Sequence, residues 1–111
     1  MKRYVLTCEL KDDPILKKEY VDHHKKVWPE IVDSIKKSGI LHMEIFNLET
    51  SLVMIIDTTP EFSFEEKAKM DAKNEKVQRW EELMWKYQKK IPSAQPGQKW
   101  VLMNKIFSLP Q

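Results

Sequence analysis

The run Leu52-Val53-Met54-Ile55-Ile56 constrains the fold more than any other feature of this chain. All of its residues are apolar and three are β-branched, so it predicts a strand. A strand covered on one face alternates apolar and polar residues; this one does not, so both faces need cover. Helices of the same chain can supply one layer. The economical source of the other is the sheet of a second copy, giving a homodimer with sheets packed face to face. The competing covers are the chain's own C-terminal segment, or none, which would make this an unusually apolar edge.

Turn and cap signals divide the rest. Residues 2–10 predict a first strand, with Tyr4 to Cys8 favouring the pleat. Asp13-Pro14 reads as the N-cap and first turn of a helix running to about Lys26. Trp28-Pro29-Glu30 starts a second helix, which runs to Lys37 with Gly39 as a left-handed cap. Strands at 40–48 and 51–58 flank the turn Leu48-Glu49-Thr50. A third helix is expected over 62–73 and, after the break at Asn74, a fourth over 75–90. Pro92 to Gly97 reads as a polar loop, and 98–108 as a last strand. The order βααββααβ fits a ferredoxin-like α+β plan, an antiparallel sheet with helices on one face, in a dimeric α+β barrel. Residues 1–111 are expected to form one domain, without repeat or linker.

Charge narrows the function. Lys and Arg total 19 against 17 acidic residues, and the two signs are interleaved, so neither nucleic acid nor membrane is an expected partner. No apolar run approaches the ~18 residues of a membrane span, and charge returns at Glu9 and Lys11, unlike a signal peptide. A cytoplasmic protein is expected. The single cysteine, Cys8, lies in strand-like sequence and reads as a buried structural thiol. With two glycines in the chain there is no glycine-rich phosphate loop, and no His or Cys spacing suits a metal.

Leu16, Tyr20 and His24 recur every four residues on the first helix, and Trp28 falls four further on. An imidazole can give and take protons near neutrality, a phenol can hold a hydroxyl, and an indole packs on the C–H face of a pyranose. The spacing alone equally fits a half-buried boundary stripe. His23, turned about 100° from His24, is expected in solvent, and His42 lies in a strand. In the fourth helix Val77, Trp80, Met84 and Tyr87 form an apolar stripe of the kind that usually packs in a core, with the polar tips of Trp80 and Tyr87 able to reach a cavity. Trp85 points elsewhere, towards a possible subunit contact, and Glu44 is a carboxylate within a strand.

Glu19-Tyr20, His24 and Trp28-Pro29-Glu30 together resemble the E-Y-x-x-x-H-x-x-x-W-P-E segment of the L-rhamnose mutarotase family. The resemblance continues through Ser38-Gly39, Glu44-Ile45-Phe46, Val77-Gln78-Arg79-Trp80 and Lys105-Ile106-Phe107-Ser108-Leu109. It implies a dimeric ferredoxin-like fold, no metal and no cofactor, and interconversion of the anomers of L-rhamnose. It implies His24 as the proton donor, Tyr20 as a substrate contact and Trp80 as a wall of the sugar pocket. Trp28 joins them as a candidate sugar contact from its place on the stripe. Two departures stand out: Glu81 replaces a second pocket tryptophan and Met43 a tyrosine, so neither of those roles transfers. The pocket wall therefore differs, and L-fucose is the competing substrate.

Mutarotation asks for a proton to leave the anomeric hydroxyl and one to reach the ring oxygen, with His24 expected to serve the ring oxygen. Tyr20, a water or a residue of the partner subunit would act at the hydroxyl. Two other functions suit the same fold, since fold does not fix function. One is a monooxygenase acting on an aromatic or on haem; the other is a module that binds a small ligand without catalysis.

Overall fold

The computed structural model describes residues 1–109. Its elements are β1 (Lys2–Leu10), α1 (Pro14–His23), α2 (Pro29–Lys37), β2 (Ile40–Leu48), β3 (Ser51–Thr58), α3 (Phe64–Ala72), α4 (Glu75–Trp85), β4 (Gln88–Lys89) and β5 (Val101–Leu102). All pairings are antiparallel. The sheet order is β2-β3-β1-β4, with β5 also on β1. This is the expected α+β architecture, with one added short strand.

The helix starts follow the cap chemistry. Asp13 accepts from the Ile15 and Leu16 amides at 2.9 and 3.0 Å, with Pro14 in the first turn. Asn74 accepts from Lys76 and Val77 at 3.1 and 3.2 Å, so it starts α4. Gly39, at φ 100°, ends the α2 connection; a side chain there would be strained and would press on Thr59 Oγ1 at 3.0 Å.

The ends depart from expectation. The first helix stops at His23, leaving His24 as its C-cap. The fourth stops at Trp85, not at 90, because Gln88 and Lys89 pair with Leu10 and Glu9. The last strand is reduced to Val101 and Leu102, prolonged by one bond from the Met103 amide to the Val5 carbonyl at 2.8 Å. Beyond it Ile106 is 96% exposed.

Cys8 pairs with Leu52, and both are wholly buried on the face that receives the helices. They join Leu10, Tyr20, Ile31, Val77, Trp80, Met84 and Tyr87 in one core; Leu6, Ile40, Ile56 and Phe62 form a second. The thiol of Cys8 is pushed up to about 11 by its burial, as befits a structural cysteine. Alternation sends Val5, Thr7, Val53 and Ile55 to the other face, where they are only half-buried and where Phe46, paired with Val53, is exposed. Arg3 and Asp57 form a two-pronged ion pair at 2.7 and 3.0 Å at one end of this face.

Leu52 packs at the centre of the core, so Leu52→Ala should lower the unfolding free energy by about 2–5 kcal/mol in urea titrations. A loss below about 0.5 kcal/mol, the level of a surface substitution, would contradict this placement.

Candidate active site

Between the helices and the inner face of the sheet lies a cavity of about 560 Å³, within the range of small-molecule sites. The sheet contributes an apolar floor of Met43, Met54 and Ile56. Tyr20 and His24 enter from the end of α1, and Trp80, Glu81 and Met84 from α4. Lys99 and Trp100 close it from the segment before β5.

Two members of the stripe read from the first helix, Tyr20 and His24, are therefore part of the cavity wall. The Tyr20 and His24 rings pack at 4.4 Å between centroids, and His24 lies 5.7 Å from Trp80. His24 Nδ1 stands 2.8 Å from the main-chain carbonyl of Tyr20. A carbonyl only accepts, so Nδ1 carries the hydrogen and Nε2 keeps a lone pair whenever the ring is neutral. Burial favours that neutral form: it lowers the His24 pKa, opposed by the Tyr20 carbonyl and aided by the charge of His23. The imidazole thus rests as a base with one nitrogen tied and the other available.

Tyr20 is 3% exposed, and its hydroxyl accepts from Gln88 Nε2 at 3.2 Å. Burial pushes the phenol upward, so it stays protonated. The Gln88 amide oxygen is buried with no partner among the described residues, a state that costs about 1–3 kcal/mol. Trp28 packs edge-on against Trp80 at 5.1 Å. It does not line the cavity; it backs the indole that does.

Other residues lie elsewhere than the sequence suggests. His23 is half-buried, not in solvent: its Nε2 is 3.0 Å from the Tyr87 hydroxyl. The polar tip of Tyr87 is thereby spent on His23, and Tyr87 is not a wall residue. Trp85 lines the cavity, with the Lys99 ammonium 4.9 Å from its ring centroid. Glu44 is exposed and its strand neighbours Met43 and Ile45 are the ones that face the cavity. Sequence reasoning missed Lys99 and Gln88. Gln88 lies four residues beyond Met84 on the stripe, a usable signal, whereas a single lysine in a polar loop gives none.

Fold and site together define a small α+β protein with an imidazole base and an indole in one hollow. The family model for L-rhamnose mutarotase matches residues 3–109. An L-fucose mutarotase of Xanthomonas campestris pv. campestris is 38% identical over 111 residues, covering 98% of this chain and 89% of the relative. A Dictyostelium discoideum protein is 33% identical over 115 residues, covering 97% of this chain and 90% of that one. The crystal structure of an L-rhamnose mutarotase from Formosa agariphila superposes with a TM-score of 0.73 at 19% identity, over 98% of this chain and 99% of that one, which shows the shared fold. The chain belongs to the L-rhamnose mutarotase family, and so to the isomerases that act on sugar anomers.

If burial governs His24, its ring-proton NMR resonance should titrate with a midpoint below the ordinary histidine value of about 6.5. A midpoint above that value would mean the ring is solvated or held as a cation.

Proposed function

We propose that this protein interconverts the α and β anomers of a 6-deoxy-hexopyranose, L-rhamnose first, by opening and reclosing the ring. One observation carries the reading: the His24 imidazole, with Nδ1 tied to the Tyr20 carbonyl, lines a cavity walled by an indole, so in its neutral form Nε2 is left as a base. The oxygens that must lose and gain a proton, O1 and O5, sit on the same carbon of the sugar. A single nitrogen can therefore serve both. Nε2 takes the proton of the anomeric hydroxyl; the C1–O5 bond breaks as the C1–O1 double bond forms; the imidazolium then protonates O5. Rotation about C1–C2 and the reverse sequence close the ring on the other face, and His24 ends as it began.

In this arrangement His24 acts first as a base and then as the donor to the ring oxygen. Trp80 holds a C–H face of the pyranose and Tyr20 contacts a hydroxyl. The methionine and isoleucine floor suits a 6-methyl group better than a hydroxymethyl, which would bury an oxygen with little to bind it. L-Fucose is the second reading, favoured by the 38% identical relative that bears that name. The composition and the single buried cysteine fit work in the cytoplasm.

We further infer that the working form is a homodimer built on the outer face of the sheet. That face carries half-buried Val5, Val53 and Ile55 beside Phe46, which is 53% exposed. Phe107 and Leu109 of the C-terminal segment, at 61% and 80% exposure, are apolar side chains that exchange of this segment onto the partner subunit would cover.

Saturation transfer between anomeric proton signals tests the activity directly. L-Rhamnose or L-fucose should show exchange faster than the spontaneous rate; other aldoses should respond less. With His24 as the resting base, kcat/KM should be flat at neutral pH and fall as pH drops through a pKa below about 6.5. Activity that instead disappears as pH rises through that range would assign His24 the opposite resting state. In sedimentation, the wild type should run as a dimer and Phe46→Lys should shift towards monomer; a monomeric wild type would remove the dimer proposal.

A further inference from the structure

The cavity holds one feature that the ring-opening chemistry leaves unused. Lys99 is a buried cation, its side chain 4% exposed, whose ammonium lies 2.6 Å from Glu81 Oε2 and donates to the Glu81 main-chain carbonyl at 2.6 Å. It also sits over the Trp85 ring. α4 has no basic residue of its own in its last turn, and Lys99 brings a positive charge to that end of the helix, where carbonyl groups favour it. Every contact of this lysine is thus internal. Glu81 differs: its side chain is 45% exposed, it lines the cavity, and only Oε2 is committed to the lysine. A carboxylate has lone pairs for several donors, so its Oε1 edge remains for a ligand. Asp71, the other carboxylate of the wall, is engaged by Lys67 at 2.5 Å with both side chains largely covered.

We infer that Glu81, braced by Lys99, determines sugar specificity by accepting hydrogen bonds from adjacent hydroxyls of an uncharged aldopyranose. The lysine fixes the carboxylate in one orientation before the sugar arrives, so little side-chain freedom is lost on binding. A neutral hydroxyl donating to an ionised acceptor makes one of the stronger hydrogen bonds available to a neutral ligand. Glu81 follows Trp80 directly, and both line the cavity that Tyr20 also lines. One wall thereby offers an indole for the C–H face and a carboxylate for the hydroxyl edge. His24 is left to the anomeric carbon.

This inference rests on the mutarotase reading, and the experiment separates the two. Exchange kinetics are measured on the full chain with L-rhamnose, L-fucose and the monodeoxy analogues of whichever is the better substrate. The variants are Glu81→Gln and the double variant Glu81→Gln/Lys99→Met. The double variant removes both charges together, a change that folded proteins tolerate better than leaving a buried cation alone. Both should raise KM by about tenfold or more while kcat stays within about threefold. The wild type should discriminate by a similar factor against the analogue lacking one particular hydroxyl, and the double variant should not. A KM within about twofold of wild type in the double variant, or undiminished discrimination among the analogues, would overturn the role of Glu81 alone. A wild type that accelerates exchange of no aldose would overturn the mutarotase reading, and this inference with it.

Discussion

The 2.8 Å contact between His24 Nδ1 and the Tyr20 carbonyl organises the whole site. It is a local contact, spanning one helical turn, and it exists because α1 ends at His23. The carbonyls of a last helical turn lack intrahelical partners, so the Tyr20 oxygen is available to a side chain. His24 reaches back to fill it, and in doing so fixes its own tautomer and turns its second nitrogen away from the helix. Had the helix continued to Lys26, that carbonyl would be committed to the amide of residue 24, and the ring would lose its anchor.

Around that anchor, burial sets the chemistry. Tyr20 packs against the imidazole at the cavity wall, Trp80 packs beside it, and Trp28 stands behind Trp80. The same desolvation lowers His24 and raises Tyr20, so both rest uncharged. A hollow lined by neutral groups suits an uncharged polyol. The charges that do enter its wall come in pairs, Lys99 with Glu81 and Lys67 with Asp71.

Much of this was legible in the sequence, where local chemistry decides the outcome. Asp13, Pro14 and Pro29 set helix starts as expected, and Asn74, read as a break, also caps the start of α4. The period of four from Leu16 to His24 fixed the shared face of Tyr20 and His24. What was not legible depends on long-range pairing. The end of α4 is decided by Leu10 and Glu9 of β1, almost eighty residues away, not by any breaker near Trp85. Lys99 carries no local signal at all; its meaning comes from Glu81 and Trp85 across the cavity. His23 looked exposed because it lies off the stripe, yet the Tyr87 hydroxyl brings it inward.

The imidazole of His24 is the centre of the account, and replacing it is the most direct test. His24→Ala, shown by circular dichroism to keep its fold, should exchange the anomers of the substrate sugar about 10²–10⁴ times more slowly than wild type in saturation-transfer measurements. Exchange at the wild-type rate in that variant would contradict the account.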